Sequence, residues 1–234
     1  MGMLCAALLV AAPDVRFAEH PVVARAVSDI ILYDAADADG GVCGALLRGE
    51  TAEIIEDRSC EWYLLQAEDG RQGWAQASGL SIPPDTAARV DKAAAADVER
   101  FVNGQALTSQ TKYAVFVDLE RQQTHVLTGG EGAWRLLRSL DCATGKNASP
   151  TKRGRFTLQT RGEWFYSKRL GSGAMYWIRF DGPYLFHSLA MDASRRITDE
   201  TIGQRVSSGC VRHLLADAKW LYETVPDGTA VLLL

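Results

Sequence analysis

The chain has 234 residues, of which 47% are hydrophobic and 23% charged, and its formal net charge is −4. These proportions belong to a globular protein with room for one large or two modest domains. The slightly acidic balance excludes a global basic field for nucleic acid, and no apolar run is long enough to span a bilayer.

In chain order, the stretch from Met3 to Ala12 is apolar and ends in small residues, like the core of a secretory signal. Met1-Gly2 supplies no positively charged start, so a buried first strand or a misplaced start codon stays open. Residues 1–20 are read as a possible signal or leader segment. The five cysteines (Cys5, Cys43, Cys60, Cys142, Cys210) fit no zinc spacing. Cys43 and Cys60 lie in one segment and would form a disulfide in an exported protein. Two buried thiols are the alternative.

Residues 21–82 read as short strands with polar turns, a pattern that suggests a small barrel. Ile30-Ile31-Leu32-Tyr33, Ala52-Glu53-Ile54-Ile55-Glu56 and Trp62-Tyr63-Leu64-Leu65-Gln66 are three of them. The turn Glu68-Asp69-Gly70-Arg71 leads to Gly73-Trp74-Ala75. Leu46-Leu47-Arg48-Gly49-Glu50, Trp62-Tyr63 and Gly73-Trp74 running on to Leu80 resemble, in that order, the bacterial SH3-like domain. Trp62, Tyr63 and Trp74 are read as packing residues of the barrel rather than ligand contacts. Pro83-Pro84 marks a boundary. Ala-rich Asp85 to Val102 reads as a linking helix with one apolar stripe, in a linker covering 83–110.

From about residue 112 the pattern is β again. Tyr113 to Asp118 and Thr124 to Thr128 form a hairpin around Glu120-Arg121-Gln122-Gln123. Trp134 to Leu140 is a third strand. A loop of turn formers, Ala143 to Thr151, precedes the strand Gly154-Arg155-Phe156-Thr157-Leu158. Trp177 to Phe180 and Tyr184 to Phe186 pair around Asp181-Gly182-Pro183. After Cys210 the period changes: Val211, Leu214, Leu215, Ala218, Leu221, Tyr222 and Val225 fall at helical spacing. Pro226-Asp227-Gly228 ends that helix, and Thr229 to Leu234 is a last strand.

The chemistry concentrates in Ser207-Ser208-Gly209-Cys210-Val211-Arg212, with His187-Ser188 upstream. A thiol beside Gly and small hydroxyl residues, directly before a helix, suits a nucleophile: the helix N-terminus would favour thiolate. His187 is a candidate base, and nucleophile plus base is the minimum for covalent acyl transfer.

Histidine before cysteine, with the sulfur at a strand-to-helix junction, resembles the L,D-transpeptidase catalytic domain of bacterial cell-wall enzymes. That family carries a His, a spacer, then [Ser/Thr]-His-Gly-Cys, an apolar residue and Asn or Arg. Here Phe186-His187-Ser188 is followed by a spacer and Ser207-Ser208-Gly209-Cys210-Val211-Arg212. The family's T-G loop and T-P-x-G-x-F phrase match Thr144-Gly145 and Ser149-Pro150-Thr151-Lys152-Arg153-Gly154-Arg155-Phe156. Its closing D-G-T-x-V matches Asp227-Gly228-Thr229-Ala230-Val231. Three departures stand out. Ser208 replaces the second His, the spacer is longer and suggests an enlarged lid, and Lys152 sits in the loop.

The resemblance implies a mainly β protein: a small SH3-like barrel, a helical linker, and a β-sandwich catalytic domain over 111–234 with one helix after Cys210. It implies a Cys210 thioester on a peptidoglycan tetrapeptide stem, His187 as base and Ser188 fixing the imidazole. Gly209 and Cys210 amides would form the oxyanion hole, and Arg212, with Ser208, would contact substrate. The expected partners are stem peptides and the expected location is the cell envelope, periplasm or wall. No cofactor or metal is implied. An L,D-carboxypeptidase and a catalytically degenerate wall-binding protein are the rivals. His20, His125 and His213 are read as solvated or structural. Arg195 and Arg196, with Asp192, Asp199 and Glu200, are read as a solvated loop. Trp164, Tyr166 and Trp177 are read as packing residues.

Overall fold

The structure, a computed structural model, describes residues 17–89 and 91–234. Most of the candidate leader, and Cys5, lie outside the described residues. The protein is mainly β, as expected, with two sheets. Among the described residues no helix is long and apolar enough to cross a membrane.

The first sheet holds β1 (Val23–Ala26), β2 (Ile30–Tyr33), β3 (Val42–Leu46), β4 (Thr51–Arg58), β5 (Trp62–Ala67), β6 (Gln72–Gln76) and β7 (Leu80–Ser81). Its order is β3-β2-β6-β5-β4-β1-β7, antiparallel throughout and open between the edge strands. Period-two alternation along β5 sends Tyr63, Leu65 and Ala67 inward, where they meet Leu32, Leu46 and Ile54. Trp62 faces the other way, edge-on to Tyr33 at 5.7 Å, and the Arg58 guanidinium lies over Trp74 at 4.8 Å. Cys43 and Cys60 are free and exposed, so neither the disulfide nor the buried-thiol reading holds. Strand alternation turns Cys43 outward, and Cys60 occupies the tight β4–β5 turn at φ 57°.

The linker departs from expectation. Helix α1 spans only Ala95–Asn103. Residues 83–89 are extended because their backbone is claimed elsewhere: Pro83 and Pro84 carbonyls accept from the Asn147 side chain, and the Arg89 amide donates to the Glu120 carbonyl. The apolar stripe does exist. Val98 and Val102 are fully buried against Trp134, Phe116 and Leu127.

The second sheet holds β8 (Tyr113–Asp118), β9 (Gln123–Thr128), β10 (Arg135–Gly145), β11 (Gly154–Thr157), β12 (Arg161–Ser167), β13 (Ser172–Asp181), β14 (Tyr184–Ser188), β15 (Ala190–Met191), β16 (Ile197–Asp199), β17 (Arg205–Ser207), β18 (Val211–His213) and β19 (Ala230–Leu233). The main path runs β11-β19-β8-β9-β10-β18-β14-β13-β15-β16. Strand β8 is buried on both faces. Val115 and Val117 enter one core with Phe180, Phe186 and Leu221, while Ala114 and Phe116 enter the other with α1. That is why its sequence is apolar at both parities.

Helix α2 (Leu215–Thr224) starts five residues after Cys210, not directly behind it. Val211–His213 instead fill a central slot, antiparallel to β10 and parallel to β14. Paired on both sides, their backbone groups are satisfied as strand, and this overrides the helical spacing of Val211.

Candidate active site

Strands β17 and β18 both lie against the C-terminal end of β10, β17 parallel and β18 antiparallel to it. The chain therefore reverses within Ser208-Gly209-Cys210. The Ser207 hydroxyl donates to the Cys210 carbonyl (2.6 Å), and the Lys146 amide donates to the Ser207 carbonyl (3.1 Å). Gly209 has φ +96°, and a Cβ there would sit 2.5 Å from the Tyr184 ring. Both facts demand glycine at this position.

In the register of β14 and β18, His187 lies opposite Arg212. Alternation then puts Leu185, His187, Cys210 and Arg212 on one face, and Phe186, Val211 and His213 on the core face. His187 Nδ1–H donates to the Ser188 carbonyl at 2.6 Å. A carbonyl can only accept, so the proton is on Nδ1 and Nε2 carries the free lone pair. The Ser188 hydroxyl is occupied elsewhere: it accepts from the Met175 amide and donates to the Leu189 carbonyl. Phe165 packs edge-on against the imidazole at 5.8 Å.

Burial lowers the His187 pKa to about 4, with the Arg212 charge adding to the effect against the Ser188 bond. Burial raises the Cys210 thiol, opposed by the Leu185 amide and the Arg212 charge. The pair is thus neutral thiol and neutral imidazole at pH 7. The expected thiolate bias is corrected: the nearest helix N-terminus is too far along the chain to act, and desolvation dominates.

Arg212 is not in a helical first turn. It stands in β18, its Nη1 bound to Asp199 Oδ2 at 2.7 Å, with Nε buried and unpartnered. Asp217 pairs with Arg138 instead. Asp199, read as part of a solvated loop, lies on β16 and also accepts from the Thr201 amide. The spacer is a β15–β16 hairpin whose turn is held by Asp192, which accepts from the Ser194 and Arg196 amides, and the Arg195 guanidinium lies over Trp164. Ser208 is exposed. Phe165, Asp199 and Tyr184 all touch the site, and no sequence spacing singles them out.

His125 and His213 are buried rather than solvated. His125 Nδ1 bonds the Ser139 hydroxyl (2.8 Å) and His213 Nε2 the Thr124 hydroxyl (2.9 Å). Burial lowers their pKa to about 4 and about 3. Unfolded, each histidine takes a proton near pH 6.5; folded, these two and His187 bind none until about pH 4 or below. The unfolded chain therefore holds more protons across that window. Their contribution to stability is complete above pH 6.5 and is lost on acidification. Each pH unit below 6.5 costs ~1.36 kcal/mol per group, about 6 kcal/mol for the three together by pH 5, so the melting temperature should drop by about 12 to 24 degrees between pH 7 and pH 5. Scanning calorimetry checks this, and equal melting at both pH values would contradict it.

The family model of the YkuD L,D-transpeptidase catalytic domain matches residues 112–233. YciB of Bacillus subtilis (strain 168), whose name assigns it provisionally as an L,D-transpeptidase, is 30% identical over 122 residues. The match covers 50% of this chain and 63% of YciB, less than two thirds of that relative. A crystal structure from Clostridium acetobutylicum ATCC 824, of a fused Zn-dependent amidase/peptidase/peptidoglycan-binding domain-containing protein, is similar at 30% identity and TM-score 0.52, over 59% of each chain. An L,D-transpeptidase from Stackebrandtia nassauensis is 24% identical with TM-score 0.42, over 56% of this chain and 59% of its own.

Proposed function

The chain belongs to the YkuD L,D-transpeptidase catalytic domain family, and from that premise we propose that it crosslinks peptidoglycan through a Cys210 thioester. The observation that carries the reading is the His187 tautomer. With Nδ1–H held by the Ser188 carbonyl, Nε2 is left as the base on the face that Cys210 shares.

His187 Nε2 takes the thiol proton as the sulfur attacks the carbonyl of the L-configured centre in the third residue of a tetrapeptide stem. The oxyanion is received by the Gly209 and Cys210 amides, each such donor being worth roughly 3–4 kcal/mol in other enzymes. The C–N bond to the terminal D-Ala breaks, and His187 gives its proton to the leaving amine. An amine of a neighbouring stem then attacks the thioester, forming the new peptide bond, and the thiol regains a proton. Water in place of that amine would give a carboxypeptidase. No metal or organic cofactor takes part.

The enzyme acts in the cell envelope. Residues 21–82 form an SH3-like domain joined by the 83–110 linker to the catalytic domain at 111–234. The test is incubation of the purified protein with tetrapeptide stems, with and without an amine acceptor, and mass spectrometry of the products. Crosslinked dimers support the proposal; tripeptide alone supports the carboxypeptidase; no D-Ala release leaves a wall-binding protein.

Arg212 holds a stem carboxylate with the part of its fork that Asp199 leaves free. Arg212→Ala and Arg212→Lys should both lose stem turnover. Arg212→Ala should also lower melting by a few degrees, because Asp199 loses its partner. Adding Asp199→Asn should restore the melting temperature but not turnover. Recovery of both would make Arg212 purely structural.

A further inference from the structure

Asp57, on β4 of the first sheet, connects three elements. Its Oδ1 accepts from the Cys60 amide (2.6 Å), closing a turn in which Ser59 and Cys60 both take left-handed φ, 62° and 57°. Its Oδ2 accepts from the Ser149 hydroxyl (2.5 Å) in the loop that precedes β11. Its backbone N–H faces the hydroxyl of Tyr184.

Both outward routes end at the same place. Ser149 is followed by Pro150, whose carbonyl would lie 3.4 Å from a Cβ on Gly209, and the Tyr184 ring would lie 2.5 Å from the same Cβ. Gly209 is the residue before the thiol. The joint is reinforced on its flanks. The Tyr63 hydroxyl donates to the Ala148 carbonyl (2.7 Å), Lys152 Nζ lies between Glu56 (3.1 Å) and Asp181 (2.6 Å), and Arg169 Nη1 donates to the Ser59 hydroxyl (3.1 Å). Ser149, Tyr63 and Tyr184 are all buried. Asp57 is half-buried and meets these buried groups at its inner end, which leaves the joint few alternative arrangements there.

We propose that Asp57 is a positioning residue for the reaction at Cys210, and that the β4–β5 hairpin is a fixed wall of the catalytic cleft rather than part of a detached targeting module. The inference rests on Cys210 being the acyl-forming thiol. Asp57 acts by fixing Ser149-Pro150 and Tyr184, which together set the Gly209 backbone and the direction of its amide. A displacement of one ångström at such a point can cost on the order of 10²-fold in rate.

The experiment uses the full chain and the variants Asp57→Ala, Asp57→Asn, Ser149→Ala and the double variant Asp57→Ala/Ser149→Ala. Release of D-Ala from a tetrapeptide stem gives kcat and KM. Iodoacetamide alkylation of Cys210, mapped by mass spectrometry, reads the accessibility and reactivity of the thiol alone. Asp57→Ala should lower kcat by about 10- to 100-fold with little change in KM, while Cys210 alkylation stays near wild type. Asp57→Asn keeps the acceptor for the Cys60 amide and should recover part of the loss. The double variant should be no slower than Asp57→Ala, because both act through one contact. Wild-type kcat in Asp57→Ala, or strictly additive losses in the double variant, would overturn the proposal. If Asp57→Ala fails to fold, Ser149→Ala decides alone, and wild-type kcat there overturns it. A wild-type chain that releases no D-Ala would instead overturn the transpeptidase reading itself.

Discussion

Cys210→Ala should abolish covalent acylation and turnover, a loss of roughly 10⁴–10⁶-fold, the scale on which removal of a nucleophile acts in other covalent enzymes. A carbapenem offers a strained acyl group of the right reactivity. It should add one adduct to the wild type, on the peptide containing Cys210, and none to the alanine variant. The other thiols make the test sharp. Cys142 is wholly buried and its pKa is pushed up to about 12 by desolvation, so it presents no thiolate. Among the described residues, Cys43 and Cys60 are also free and exposed, so the peptide that carries the adduct identifies the reacting thiol. An adduct persisting in Cys210→Ala, or mapped to Cys60 in the wild type, would remove Cys210 from its role. The variant should fold normally, because only one sulfur at the cleft surface is lost.

His187→Gln should slow acylation by about 10²–10⁴-fold and change the shape of the pH profile. In the wild type the base must be neutral, and with its pKa near 4 it is neutral throughout the physiological range. The thiol is held above its ordinary range by burial. The acylation rate of the wild type should therefore climb through pH 4 and stay level to beyond pH 8. Without the base, only the small thiolate fraction reacts. The glutamine variant should then gain about tenfold per pH unit across the neutral range, since thiolate rises tenfold per unit below the thiol pKa. Stopped-flow acylation from pH 5 to pH 9 gives both curves. Parallel profiles would rule out His187 as the base, as would a larger loss from His213→Ala. His213 is expected to matter only for folding, because it faces the core beside Phe186.

The strand pattern was legible where one face is apolar and the turn residues are distinct, as in β2, β5 and the β8–β9 hairpin. It failed in short or polar strands. β15, β16 and β17 have two or three residues each, and β12 carries aromatic residues on both faces with Arg161 and Glu163 on one of them. No period can be read over so few positions, and pairing decides them: β12 and β15 on β13, β16 on β15, and β17 on β10. The helix after Cys210 starts later than its spacing predicts for the same reason. Val211 satisfies helical spacing, but a vacant slot between β10 and β14 takes it.

By itself the sequence determined the chemistry-bearing phrase Ser207 to Arg212, its His187-Ser188 companion and the mainly β class. Those depend on residue identity and local order, which a linear chain carries in full. Tertiary structure alone decided three other matters. It buried His187 and partly desolvated the half-buried Cys210 thiol, reversing the expected thiolate bias, because desolvation depends on everything packed around a group. It gave Arg212 to Asp199, thirteen residues away on another strand. It brought Asp57 to Ser149, 92 positions later in the chain, tying the first sheet to the turn that carries the thiol. Such contacts are set by the stacking of whole elements, and no spacing within a single segment encodes them.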